Sequence, residues 1–302
     1  MKRFLIQSAL FVGLMLGLIS LVLFQADGYT DAFYLKFTSP LQSNLILGTS
    51  KAAQGIQPRV LEEATGKAFF NYAFTEIHSP FGPAYLRSIK RKIKAAESQG
   101  MFLLSIDPWS ISTASDDPND STQFRELGLA LDNTHFVNLS PNFPYLIENL
   151  SGEYYTILSQ RNPEFFLHQD GWLEVKLSRN QSEIDQRRKE KLAYHRKNSL
   201  PYYKFSSLRF SYLQKTIDFL QAHGKVYLIR LPIHPEMMAL EEEMMPDFQA
   251  KVDLLIPEVD AYLDLTEFNS EYTYIDGTHL DVSSSTKMSK EIANWIKATY
   301  DE

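Results

Sequence analysis

None of the 302 residues is cysteine. Disulfides, thiolate nucleophiles and zinc–thiolate centres are therefore excluded, while the compartment stays open because many envelope proteins also lack cysteine. Basic residues are in deficit, with 30 Lys and Arg against 37 Asp and Glu and a formal net charge of -7. A nucleic-acid partner would call for a basic face, so this balance argues against one. The sequence has no internal repeat and, with one exception, no long apolar run. Its 44% hydrophobic content is enough to build a real core for one large domain or two small ones.

The exception opens the chain. Phe4 to Phe24 is apolar apart from Gln7, Ser8, Ser20 and glycines, and a helix needs about 20 such residues to span a bilayer. Lys2 and Arg3 precede the run and Asp27 and Asp31 follow it. The positive-inside rule then places the N-terminus in the cytoplasm and everything after residue 25 outside. A cleaved signal peptide would have a shorter apolar stretch and a small-residue cleavage site, whereas Phe24-Gln25-Ala26 puts a large residue where a small one is wanted. The expected organisation is a transmembrane anchor over 1–25, a tether over 26–43 and an α/β domain over 44–302. That domain carries an irregular insert at about 107–206.

Strand-like and helix-like segments alternate after the tether. Asn44–Gly48 reads as a first apolar strand, Lys51–Thr65 as a helix stopped by Gly66, and Ala68–Phe74 as a second strand. Gly82–Gln99 follows as a basic amphipathic helix, and Met101–Ile106 is an apolar run of the kind buried on both faces. The insert is rich in Asn, Pro, Ser and aromatics, and its charged run Asp185–Lys197 reads as a solvated helix face. Regularity returns with a helix over Leu208–His223 and a strand over Lys225–Leu231. A mostly helical stretch over Glu236–Leu255, broken near Pro246, leads to a short strand over Ala261–Leu265. The last helix, Val282–Tyr300, has Met288, Ile292, Trp295 and Ile296 on one face. Five strands separated by helices imply a parallel sheet covered on both sides, with a site beyond the carboxyl ends of its strands.

Two short motifs reach that edge. Gly48-Thr49-Ser50 ends the first strand in a small-residue turn, so that Ser50 would sit at a helix N-terminus, where the dipole favours developing negative charge. The plainer reading is a helix N-cap. Asp276-Gly277-Thr278-His279 precedes the last helix; it is an ordinary D-G turn, or an acid three positions from a histidine that it can orient. A serine becomes a nucleophile only when a base takes its proton and an acid orients that base.

A G-[DTS]-S turn after strand one, paired with D-x-x-H before the C-terminal helix, resembles the SGNH (GDSL-type) hydrolase superfamily. The closest subgroup is membrane-anchored envelope proteins of the D-alanine transfer and alginate O-acetylation type. The resemblance implies a flavodoxin-like three-layer α/β/α fold and acyl transfer or ester hydrolysis on an envelope glycan. Ser50, Asp276 and His279 take the catalytic positions. The substrate would be a glycan or an acylated carrier, with a membrane-bound acyltransferase as a further partner, and no metal or cofactor is required. The family's oxyanion donors, a glycine N–H after strand two and an asparagine after strand three, are not matched. The first region reads Asn71-Tyr72-Ala73-Phe74-Thr75 and the second Asp107-Pro108-Trp109-Ser110. Asn71 is a candidate donor or a buried turn residue; Asp107 would repel an oxyanion if ionised and could donate if neutral. The mismatch also admits a catalytically weak protein that keeps the fold as a glycan-binding or assembly module.

Two further residues are candidates for substrate contact, each with a plainer alternative. His234 in Pro232-Ile233-His234-Pro235 could be satisfied by backbone, and Arg230 at a strand end could be a structural ion-pair partner. Asn-x-Ser occurs at Asn119, Asn138, Asn149 and Asn180 and matters only in a glycosylating host. The anchor reading makes a direct prediction: mass spectrometry of the membrane fraction finds the N-terminus intact at residue 1 or 2. A soluble secreted esterase would instead yield a chain that begins after the apolar run.

Overall fold

The computed structural model describes residues 1–94, 99–150, 156–159 and 164–300. Helix α1 (Lys2–Leu23) has 22 residues and a mean hydropathy of 2.3 over its most apolar window. At about 1.5 Å per residue it is long enough to cross a hydrocarbon core of about 30 Å. Short helix α2 (Tyr34–Thr38) precedes strand β1 (Leu45–Leu47), which is followed by α3 (Ser50–Gly55) and α4 (Pro58–Thr65). The single helix expected over 51–65 is thus two. Gln57 precedes Pro58, whose ring disfavours helical geometry at that position, and Ile56 and Gln57 are extended.

Strand β2 (Phe70–Asn71) is shorter than expected, but its pairing continues as Tyr72 N–H donates to Ile46 O and Phe74 N–H to Gly48 O. Helix α5 (Pro83–Lys92) stops earlier than 99, and part of the expected remainder, 95–98, lies outside the described residues. Strand β3 (Gly100–Ser105) leads into the insert. The insert holds β4 (Ser112–Thr113), α6 (Ala130–Asn133), α7 (Phe143–Asn149) and α8 (Thr156–Ser159). The β5 (Phe165–Leu167) and β6 (Leu173–Val175) hairpin, the 18-residue α9 (Gln181–Asn198) and β7 (Lys204–Phe205) complete it. Then come α10 (Ser207–Gln221), β8 (Gly224–Arg230), α11 (Pro235–Met244), α12 (Phe248–Asp253), β9 (Ala261–Asp264) and α13 (Val282–Tyr300). The break between α11 and α12 falls at Pro246, as the sequence indicates.

The main sheet has the order β2-β1-β3-β8-β9, and every pairing in it is parallel. Successive strand residues point to opposite faces, and this alternation divides the core in two. Leu45, Leu47, Phe102, Leu104, Val226 and Leu228 pack with Tyr85 and Ile89 of α5 and with Leu213, Ile217 and Leu220 of α10. Ile46, Met101, Leu103, Tyr227 and Ile229 pack with Ala52, Leu61, Met288 and Ile292 on the other face. The result is an α/β sandwich with helices on both sides of a five-stranded parallel sheet. At the start of β8, Gly224 (φ +157°) lies so close to β3 that a Cβ would fall 2.0 Å from Gly100 O, so only glycine fits there.

The segment 26–43, expected as a tether, is packed into the domain. Phe37 is fully buried among Phe74, Tyr72 and Tyr145. Lys36 Nζ donates to Asn71 O (2.7 Å) and Gly171 O (2.6 Å), while Lys92 Nζ donates to the carbonyls of Lys36 (2.9 Å), Ser39 (2.7 Å) and Val137 (2.5 Å). The sequence pattern hid this because a buried lysine reads as a surface residue until its acceptors are known. The insert also covers the sheet's β2 edge, since Asn71 N–H donates to Asp170 O at 2.8 Å.

Lys92→Met keeps the length of the stem but strands three buried carbonyls, each of which costs on the order of 1–3 kcal/mol when unsatisfied. We expect a loss of about 3 kcal/mol in urea unfolding of the solubilised protein. Lys90→Met, on the exposed face of the same helix, should leave the midpoint nearly unchanged.

Candidate active site

Parallel strands deliver their carboxyl ends to one edge, and β1 lies between β2 and β3, where the strand order reverses. Such a reversal opens a crevice. Gly48 turns the chain there at φ +138°, with Ser105 Cβ only 2.8 Å from where its own Cβ would lie. Its N–H donates to Tyr85 Oη (3.0 Å), and its carbonyl accepts from Ser79 Oγ (2.7 Å). Thr49 is the N-cap of α3 and Ser50 its first residue. The first N–H groups of a helix have no intrahelical acceptor, so the Ser50 N–H is directed out of the helix start.

The second motif is a tight loop closed by an antiparallel bridge between Tyr274 and Leu280 and by Ile275 N–H donating to His279 O (2.8 Å). Asp276 Oδ1 accepts from the N–H groups of Thr278 (2.9 Å) and His279 (2.8 Å), and Gly277 takes φ +87°. Asp276 Oδ2 lies 2.8 Å from His279 Nδ1, and His279 Nε2 lies 2.8 Å from Ser50 Oγ. A carboxylate can only accept, so the Nδ1 proton points to Asp276 and Nε2 is left to accept from the Ser50 hydroxyl. Three residues up to 229 positions apart thus form one hydrogen-bonded line.

A fourth group joins it. Lys191 Nζ of α9 donates to Asp276 Oδ2 (2.8 Å) and lies 3.4 Å from His279 Nδ1. Burial pushes the Asp276 pKa up, but its interactions and hydrogen bonds with His279 and Lys191 outweigh it and hold the carboxyl well below its usual range. For His279, burial lowers the pKa, Asp276 opposes that effect and Lys191 reinforces it, leaving the imidazole below its ordinary value of 6.5. The balance favours the neutral imidazole.

A cleft of about 310 Å³ opens beside Ser50 and His279, with Lys191, Glu76, Trp109 and Tyr194 among its walls. Next to the serine, Lys51 turns into a buried cluster, pairing with Asp107 Oδ2 and Glu241 Oε1, each at 2.9 Å. Burial opposes the Lys51 charge, yet these two carboxylates raise its pKa. His195 packs at a tilt against Trp109 with ring centroids 5.1 Å apart, and burial, aided by Lys191, pulls its pKa down to about 4.

The other sequence candidates are placed differently. Asn71 is fully buried and its amide donates to the carbonyls of Ala52 (2.8 Å) and Ile56 (2.9 Å), so it ties α3 to β2 and is not available as an oxyanion donor. Asp107 does line the cleft, but Oδ1 accepts from Ser110 N–H (2.8 Å) and Oδ2 pairs with Lys51, so both of its oxygens are engaged as acceptors. Arg230 is buried outside the cleft, between Glu241 and Asp264 at 3.9 Å each and over the Phe248 ring. His234 caps α11, with its Nδ1 accepting from Glu236 N–H, and does not line the cleft.

Sequence reasoning missed Lys191, Lys51, Glu241 and the Trp109–His195 wall. A signal for the first existed within the charged run. Arg187, Lys191 and His195 recur every four residues and so share one face of α9. Arg187 Nε reaches Ile275 O (2.9 Å), Lys191 reaches Asp276, and His195 reaches Trp109.

No protein-family model matches this sequence, and no curated protein does. Among solved structures, the chain is similar to one described as a carbohydrate acetylesterase family member from Sinorhizobium meliloti. The two share 9% identity at a TM-score of 0.35, over 86% of this chain and 100% of that one.

Neutral His279 is the form that can accept the serine proton, so serine reactivity falls as pH drops through the His279 pKa. Lys191→Met removes a cation beside the imidazole and should raise that pKa. The acid limb of fluorophosphonate modification of Ser50 should therefore move to higher pH. An unmoved limb would show that Lys191 does not tune the base.

Proposed function

We propose that this protein is an extracytoplasmic serine-dependent enzyme that hydrolyses or transfers acyl esters on a cell-envelope glycan, held by α1 as a single-pass anchor with its N-terminus in the cytoplasm. The observation that carries the chemistry is the Asp276–His279–Ser50 line, with both links at 2.8 Å. Ser50 Oγ attacks the ester carbonyl while its proton passes to His279 Nε2. Asp276 holds the ring in the required tautomer and stabilises the imidazolium. His279 then returns the proton to the departing alcohol, and the acyl-serine is released to water or to a second hydroxyl. The Ser50 N–H at the start of α3 supplies one donor to the oxyanion. The substrate class follows from the resemblance of the two motifs to envelope acyl-transfer proteins, as does a membrane-bound acyltransferase or acylated carrier as partner.

One observation favours a second reading, a glycan-binding or assembly module with little catalysis. Asn71 and Asp107, which stand nearest to where the resemblance expects donors, are both committed elsewhere. Loss of one oxyanion donor typically costs about a hundred- to a thousandfold in rate.

A fluorophosphonate probe separates the two readings. The enzyme reading expects covalent labelling of the full-length protein, lost in Ser50→Ala. It also expects hydrolysis of a small acetyl ester to fall by at least about a thousandfold in that variant. A folded wild-type protein that takes up no label supports the binding module.

A further inference from the structure

Scattered exposed apolar side chains are normal on any protein, but some of those here lie on the helices that meet the end of α1. Outside that helix, Phe136 (55% exposed), Leu139 (41%), Ile147 (65%) and Leu158 (59%) fall within one stretch of the insert. Phe24, at the end of α1 and 59% exposed, packs edge-on against Phe143 with ring centroids 5.3 Å apart. Ile147 lies one turn further along α7 from Phe143 and so shares its face. Asn142 Nδ2 donates to Phe136 O (2.6 Å), holding that loop at the start of α7. Leu158 belongs to α8, which packs against α1.

The joint between α1 and the domain is tightly packed. Leu23 is buried in the core, and Leu167 N–H of β5 donates to Gly28 O (2.9 Å). Leu167 O lies 2.1 Å from where a Gly28 Cβ would be, so strand and linker are in close contact. Tyr29 packs on Phe166 at 4.7 Å. A helix that enters the bilayer from such a joint brings its surroundings to the membrane in a fixed orientation.

From this continuity we propose that the surface formed by Phe24, Phe136, Ile147 and Leu158 is a second membrane contact, seated in the lipid interface around the exit of α1. The proposal rests on the reading of α1 as a spanning helix. The domain is then docked on the bilayer by one face, with apolar side chains reaching about 5–10 Å into the boundary between headgroups and acyl chains, as amphipathic interfacial segments do.

The absence of native cysteine allows a direct test. Full-length protein carrying a single Leu14→Cys, Ile147→Cys, Leu158→Cys or Phe268→Cys change is labelled with an environment-sensitive fluorophore. Each variant is then reconstituted into phosphatidylcholine–phosphatidylglycerol vesicles containing doxyl-labelled lipid. Phe268 is exposed just beyond β9, the sheet edge opposite β2, and serves as the reference. Labels at 147 and 158 should lose roughly half of their emission, as a label seated in the interface would, while the label at 268 keeps its own. Quenching at 14 without quenching at 147 and 158 overturns the contact and leaves the spanning reading intact. No quenching at 14 removes the spanning reading, and this proposal with it. Shielding of 147 and 158 from aqueous iodide without quenching by doxyl lipid would mean that another protein or a second copy covers the face, which also overturns the proposal.

Discussion

Parallel strands cannot be joined by tight turns, so each connection in this sheet must return across a face before the next strand begins. Every strand therefore ends at the same edge, and the chain can place distant residues together only there. The pairing of β1 with both β2 and β3 adds the reversal in strand order that opens the crevice. Ser50 leaves that opening at the end of β1. Asp276 and His279 return to it after β9, and Asp107 follows β3. The hydrogen-bonded line at the site is a consequence of strand order before it is a consequence of side-chain chemistry.

Charge organises the ground beneath. Lys51 lies next to the serine yet turns inward, between Asp107 and Glu241, with Arg230 on the far side of Glu241. Buried ion pairs contribute little net stability, and breaking one leaves an uncompensated charge. Such a cluster fixes geometry more than it adds stability. Here it anchors α3, the loop after β3 and α11 to one another, next to Ser50. Lys191 works from above and in the opposite sense, because it shares Asp276 with the imidazole and disfavours the protonated form of His279. The same carboxylate thus orients the His279 imidazole and holds the insert helix beside it.

The insert therefore does more than lengthen the chain. Its hairpin covers the β2 edge, and α9 supplies one wall of the cleft. Helices α7 and α8 lie beside the end of α1. Helix α9 buries few apolar side chains and is held largely by polar contacts from Arg187 and Lys191 to the Ile275–Asp276 loop and from Arg188 to Glu236 at the start of α11.

Local pattern determined a good deal: the apolar helix at the start, the five strands, the break at Pro246 and the two short motifs. These features depend on hydrophobic periodicity and backbone preference, which neighbouring residues set. Proline at 58 is equally visible in the sequence, and its ring, which disfavours helical geometry at Gln57, is what splits the expected helix. Tertiary structure decided what Asn71, Arg230 and His234 do, because an amide or a guanidinium has no role until its partners are in place. It also decided that Lys36 and Lys92 are internal, that the stretch before β1 is packed rather than loose, and that one lysine in a charged run reaches the Asp276–His279 pair. Sequence alone determined which groups could serve as nucleophile, base and acid. Only the folded chain decided which carbonyls, carboxylates and rings would meet them, since contacts between residues far apart in sequence leave little trace in local spacing.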